Sequence, residues 1–193
     1  MIQARGLGRS FGEKTALEAI DLDIPAGAFL LVTGKNGSGK STLLALIAGL
    51  LAPTRGELEV AAPRGSIGFV SHEPLLYPDL TAVENLDLFG RLYRVEERRE
   101  QIGRLLERFD LWEARHDFVR SYSRGMQQRL ALCRATIHSP ELLLLDEPFA
   151  SLDSDGAALL DEALRELRAE RTVVVSSHQP ERLLPLATLR LSL

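Results

Sequence analysis

Cysteine is almost missing from this chain: Cys133 is the single one in 193 residues. That excludes an intrachain disulfide and fits a reducing compartment. Long apolar runs are missing as well. No stretch approaches the roughly 20 apolar residues that span a bilayer, and the opening Met1-Ile2-Gln3-Ala4-Arg5 carries no secretory apolar segment. A cytoplasmic protein is expected, held at a membrane only through something else. Excess positive charge is absent too. The net charge is -4, so bulk charge gives no support for a nucleic-acid partner, and none is expected. There is no internal repeat and no low-complexity linker. The remainder is ordinary for a folded domain, with 45% hydrophobic and 26% charged residues. The length suits one domain with an inserted subdomain and a core that needs no staples.

Hydrophobic patterning gives the organisation. Ile20-Asp21-Leu22-Asp23-Ile24 alternates like a half-buried strand. Phe29–Thr33, Ser66–Val70, Leu142–Leu145 and Thr172–Ser176 are short apolar runs that read as buried strands. Thr188–Ser192 alternates as an edge strand would. Helical spacing appears at Leu43, Leu44, Ile47 and Leu50, at Leu86, Phe89, Gly90 and Tyr93, and at Ile102, Leu105, Leu106 and Phe109. It returns at Leu130, Cys133 and Ile137, and at Ala157, Leu160, Leu164 and Leu167. Strands alternating with helices predict an α/β fold with a mainly parallel sheet covered on both faces. The core is expected over 1–72 and 139–193, and a helical subdomain over 73–138.

Three segments carry chemistry. Gly34-Lys35-Asn36-Gly37-Ser38-Gly39-Lys40-Ser41 fits G-x-x-x-x-G-K-[ST] in full, between an apolar strand and an amphipathic helix. Glycines let backbone N–H groups wrap phosphate oxygens, Lys40 adds positive charge, and the Ser41 hydroxyl can ligate Mg²⁺. The helix N-terminus favours the anion, and Thr42 belongs to the same expected site. Leu142–Leu145 runs into Asp146 and Glu147. An acid at the end of a buried strand can face the phosphate loop: Asp146 toward Mg²⁺, Glu147 as general base for an attacking water. Ser123, in Tyr122-Ser123-Arg124-Gly125-Met126-Gln127-Gln128-Arg129, opens a helix and offers a second anion site. On its own that segment is as well read as a serine-capped helix.

With Ser151-Leu152-Asp153, these motifs in this order resemble the ATPase subunits of ABC transporters. The resemblance implies a P-loop ABC ATPase fold with a small antiparallel β part and a helical insertion. It implies ATP and Mg²⁺, and a dimer, of two copies or with a related ATPase, in which Ser123 and Gly125 of one subunit meet the γ-phosphate held by the other. It also implies a switch histidine at His178 and an aromatic at Phe11 that stacks on adenine; Phe11 as a core residue is the alternative. Arg124 and Met126 depart from the usual Leu-Ser-Gly-Gly-Gln. A second departure is His72, where the family has a glutamine near Mg²⁺ and the attacking water. Imidazole is a poor Mg²⁺ ligand. His72 is therefore either a water-orienting group or a loop histidine with Glu73 taking part.

His72-Glu73-Pro74, Ser177-His178-Gln179-Pro180 and Leu189–Leu193 look like the haem-exporter ATPases of cytochrome c maturation, although Tyr122–Met126 also occurs in exporters of drugs, polysaccharides and other cargo. The implied partners are transmembrane transporter subunits, with this chain peripheral on the cytoplasmic face. Leu75-Leu76-Tyr77-Pro78 is apolar enough to line a docking groove, or it is a buried loop. Trp112, Phe109 and Leu111 are expected in the subdomain core. Two other readings remain open at this point. One is a soluble ATPase of this fold acting on DNA or ribosomes, and the other is a non-catalytic nucleotide sensor, against which Glu147 and His178 argue.

Overall fold

A computed structural model describes residues 1–193. Its centre is a parallel sheet in the order β5 (Ile67–Val70), β6 (Leu142–Asp146), β7 (Thr172–Ser176), β3 (Phe29–Thr33) and β8 (Leu189–Ser192). Alternate residues of a strand point to opposite faces, and here both faces are covered. Phe29, Leu31, Leu143, Leu145, Val173 and Val175 enter one core. Leu30, Val32, Leu142, Leu144 and Val174 enter the other. That two-sided burial is why these strands read as unbroken apolar runs. Each fully buried leucine among them contributes about 2 kcal/mol.

The second sheet is antiparallel, in the order β2 (Lys14–Ile24), β1 (Ile2–Phe11) and β4 (Arg55–Val60). It closes the second core together with α1 (Lys40–Ile47). Neither β1 nor β4 is evident in the hydrophobic pattern. Bulges shift the register of β1 between Ala4 and Leu7 and again between Leu7 and Arg9, so strict alternation fails. Gly56 has φ 73° and packs so close to the Gly6 carbonyl that a Cβ there would collide with it. β4 is an edge strand with no fully buried residue.

α2 (Ala82–Leu92), α3 (Arg98–Arg108) and α4 (Arg124–Thr136) lie between β5 and β6, and α5 (Ser154–Glu170) follows β6. Thr81 and Glu84 form a reciprocal capping box at the start of α2. Ser123 accepts from the Met126 N–H at 3.2 Å to cap α4, and Asp153 accepts from the Gly156 N–H at 2.8 Å to cap α5. Tyr122, just ahead of α4, is buried and donates its hydroxyl to the Ala114 carbonyl at 2.8 Å. Burial pushes this phenol up to about 12. Cys133 is fully buried in the same core, and burial pushes its thiol up, so it is an inert packing group. Glu100 and Arg104 pair at 3.5 Å on an exposed helix face, worth a few tenths of a kcal/mol.

One helical expectation and one core expectation need correction. Leu50 is 63% exposed, because α1 stops at Ile47 and Gly49 turns the chain with φ 71°. Phe109 and Leu111 are buried as expected, but Trp112 is 38% exposed. Its ring carries the Arg115 guanidinium 4.0 Å from the centroid and lies over Gly103, so it caps the subdomain surface instead of filling its core. Leu75 and Tyr77 are about half exposed at 50% and 51%, which leaves the apolar loop before α2 open and not buried.

Candidate functional site

The loop joining β3 to α1 is wound by three glycines at positive φ: Gly34 at 151°, Gly37 at 82° and Gly39 at 100°. A Cβ on Gly39 would run into the Ala16 carbonyl, so backbone shape and close packing both demand glycine there. No side chain caps the start of α1. Its first-turn N–H groups are therefore free to bind an anion. Lys40 is buried, and its Nζ donates to the carbonyls of Gly34 at 3.0 Å and Lys35 at 3.3 Å. The ammonium is thereby fixed across the mouth of the loop.

Sheet order places the acids. β7 lies between β3 and β6, and Asp146 pairs in register with Ser176. The Ser176 hydroxyl is buried; it donates to Asp146 Oδ1 at 2.6 Å and accepts from the Glu147 N–H at 3.0 Å. Glu147 has φ 49°, a left-handed backbone costly for a residue with a Cβ. The Ser176 bond holds it there. That twist brings Glu147 Oε1 to 3.5 Å from Lys40 Nζ. Glu147 Oε2 accepts from the His178 N–H at 3.1 Å and lies 2.8 Å from His178 Nδ1. Carboxylate, imidazole and ammonium thus meet at one edge of the phosphate loop.

A cavity of about 580 Å³ opens over this edge. It gathers Phe11, Asn36, Gly37, Gly39 through Thr42, His72, Asp146, Glu147 and His178. Gly34, Lys35 and Ser38 build the loop without lining the cavity. Ser123 and Gly125 lie outside it, at the start of α4, where a Cβ on Gly125 would sit 3.2 Å from the Ser151 carbonyl. Phe11 ends β1, is 48% exposed and carries the Arg9 guanidinium 4.6 Å from its ring centroid. A flat half-open aromatic at the rim suits a planar base, and the core alternative for Phe11 is set aside. No group of three or more His, Cys, Asp or Glu is arranged to hold a metal. Mg²⁺ commonly uses one or two protein oxygens plus substrate phosphates, and Ser41 with Asp146 offers such a pair on the cavity wall.

Ser176 escaped the sequence reading, as did Lys14, Ala16 and Ala150 on the cavity wall. The signal for Ser176 was a polar residue ending an apolar strand, and it becomes legible only once β7 is paired with β6. Ser176→Ala orphans an Asp146 oxygen and the Glu147 N–H, costing about 1–3 kcal/mol. We expect a drop in Tm and phosphate release lowered about 10- to 100-fold, since small misplacements of reacting groups are this costly. Wild-type turnover in Ser176→Ala would remove this residue from the site.

A glycine-wound loop between a buried parallel strand and a helix, faced by acids from a nearby strand of the same sheet, defines a P-loop nucleotide-binding domain. More narrowly, the chain belongs to the ABC transporter ATPase family, whose model, described as ABC transporter, matches residues 17–150. A Cupriavidus necator protein named cytochrome c biogenesis ATP-binding export protein CcmA is 39% identical, over 99% of this chain and 88% of that protein. Daunorubicin resistance ATP-binding protein DrrA3 of Streptomyces coeruleorubidus is 38% identical, over 92% of this chain and 60% of its own length. The Bacillus subtilis ABC transporter ATP-binding protein YxlF is 35% identical over 92% of this chain. The chain spans about three fifths of these last two relatives, 60% and 62%. Among solved structures, the ATP-binding cassette MJ0796, described as a dimeric post-hydrolysis state bound to ADP and Pi, superposes with a TM-score of 0.90. It is 30% identical, with 100% of this chain and 94% of that one covered.

Proposed function

We propose that the chain is the ATP-hydrolysing subunit of a membrane exporter. One observation carries this: Glu147, Lys40 and His178 converge at a phosphate loop, with Glu147 held in a left-handed turn aimed at the cavity. In this reading Phe11 stacks on adenine. The N–H groups of Gly34 through Thr42 and the Lys40 ammonium bind the phosphates. Ser41 and Asp146 would hold Mg²⁺, which would neutralise phosphate charge. Glu147 takes the proton of the attacking water, and His178 orients Glu147 and touches the γ-phosphate. His72 lines the same cavity and Glu73 does not, which supports the water-orienting role over a loop histidine with Glu73 taking part. Ser123 and Gly125 stand apart on α4, as they would if they complete the site of a second cassette.

No helix of the chain is long and apolar enough to cross a membrane; in this reading the membrane is crossed by transmembrane partner subunits, with this chain on their cytoplasmic face. The open apolar loop at Leu75–Tyr77 is the surface offered to them. Haem or a cytochrome c maturation factor is the first cargo choice, supported by the near-complete mutual coverage with the C. necator relative. A drug exporter is the second, supported by the comparable identity to the daunorubicin resistance protein. Purified protein is expected to release phosphate from Mg-ATP. A tagged copy is expected to retrieve membrane-spanning subunits from solubilised membranes. Recovery with DNA or ribosomes, or Mg-ATP left intact, would sink the proposal.

A further inference from the structure

The loop after β7 carries His178 and is tied to the sheet just ahead of it, where the Ser177 N–H donates to the Val32 carbonyl at 3.0 Å. Within it, the Ser177 hydroxyl bonds the Gln179 N–H at 3.0 Å and carbonyl at 3.1 Å. The short 3₁₀ turn Pro180–Arg182 ends on buried Leu183, whose N–H reaches the Pro180 carbonyl at 2.8 Å. These bonds shape the loop internally, and toward the Glu147 turn the tip is held by His178 alone, through its N–H at 3.1 Å and Nδ1 at 2.8 Å from Glu147 Oε2. The His178 side chain is itself 46% exposed.

Arg182 supplies a further tie on the far side of His178. Its Nη1 donates to Asp161 Oδ2 at 2.5 Å, and the Asp161 carboxylate is largely enclosed on α5 at 14% exposure. The same guanidinium lies 5.6 Å from the centroid of the Phe149 ring, within range of a cation–π contact. Phe149 stands two residues beyond Glu147. Its turn is closed by the Ala150 N–H on the Glu147 carbonyl at 3.1 Å and the Leu152 N–H on the Phe149 carbonyl at 3.2 Å. The turn then enters α5 through the Asp153 cap.

The contacts therefore close a ring: Glu147, its turn, α5, Asp161, Arg182, the histidine loop, and His178 back onto Glu147. Arg182, Phe149 and His178 also line one cavity of about 690 Å³ beside the phosphate loop. From this arrangement we infer that Arg182 is a positioning residue for hydrolysis. Clasped to Asp161 and Phe149, it holds the His178 loop against the Glu147 turn. The inference rests on the reading of Glu147 and His178 as the hydrolytic pair.

An ordinary surface ion pair would contribute little to anything, so the two roles separate experimentally. Arg182→Ala and Asp161→Ala are each expected to lower kcat about tenfold, a size typical of slight misplacement of reacting groups. KM for ATP stays within about twofold and Tm within about 3 °C, as a partly exposed pair predicts. The double variant falls no further than Arg182→Ala, because that substitution already removes the contacts to both Asp161 and Phe149. The swapped pair Arg182→Asp with Asp161→Arg restores the ion pair and is expected to recover part of the activity lost in either single variant. An unchanged kcat in Arg182→Ala, a double variant falling well below Arg182→Ala, or a loss tracking Tm and KM overturns the clasp. Wild type and Glu147→Gln run alongside: full activity in the latter refutes the site reading and not the clasp. Independently of turnover, backbone amides of 177–183 are expected to exchange about tenfold faster in nucleotide-free Arg182→Ala, those of β7 staying unchanged, as in local opening. Equal exchange overturns the clasp whatever the phosphate assay gives.

Discussion

Glu147→Gln is expected to lower kcat for ATP about 10²- to 10⁴-fold, the usual contribution of a positioned general base. Gln keeps the volume and an acceptor for the His178 N–H, now 3.1 Å from Glu147 Oε2. The left-handed turn, supported by the Ser176 hydroxyl at 3.0 Å, is untouched. Only charge and basicity are removed. Removing that charge changes binding in the opposite direction. Glu147 Oε1 lies 3.5 Å from Lys40 Nζ, so the carboxylate neutralises part of the charge meant for phosphate and repels an incoming anion. ATP should therefore bind the variant more tightly than wild type. If two cassettes close around ATP and hydrolysis reopens them, unhydrolysed ATP should trap the closed pair. Light scattering with saturating ATP would show the variant as a dimer. A variant that stays monomeric and turns over at the wild-type rate would contradict both the role of Glu147 and the dimer cycle.

The parts of the fold legible in sequence are those where local chemistry and tertiary context agree. β3, β6 and β7 are buried on both faces and show as plain apolar runs. The phosphate loop is a contiguous motif whose glycines have local backbone reasons. β1 and β4 are different. Their alternation is broken by bulges against β2 and by the Gly56–Gly6 contact, the latter between residues 50 positions apart. Trp112 misled for a similar reason: its burial depends on the shallow platform at Gly103 and on Arg115, not on its own hydrophobicity. The site divides the same way. Asp146 and Glu147 were visible as acids ending an apolar run. Ser176, which joins them, was not, because its partners sit on the adjacent strand 29 and 30 residues away. Arg182 was equally invisible, since its meaning comes from Asp161 and Phe149.

Lys40→Ala should cost ATP affinity about 100-fold or more. The lysine is buried and pre-aimed by two carbonyls at 3.0 and 3.3 Å, so little ordering remains to be done when phosphate arrives. A charge-assisted hydrogen bond of this kind is worth about 1.5–3 kcal/mol, and the unscreened Glu147 left behind adds repulsion. The expected loss is therefore at least about 2.7 kcal/mol, or a factor of about 100. Lys40→Arg does not rescue it, because a planar fork cannot occupy the point between the Gly34 and Lys35 carbonyls. Thermal shift reads the difference directly. At ATP about 100 times its wild-type Kd, binding adds about 2.7 kcal/mol to wild-type stability, or roughly 5–10 °C in Tm for a chain of this size. Lys40→Ala at the same concentration should gain less than about 0.5 kcal/mol, near 1 °C. The unliganded Tm of the variant serves as the control. Losing the buried ammonium leaves the Gly34 and Lys35 carbonyls without this donor, so a fall of about 1–3 kcal/mol is expected there. An undiminished ATP-induced shift in Lys40→Ala would mean that phosphate is held by the backbone cradle alone, with Lys40 serving only to brace the loop.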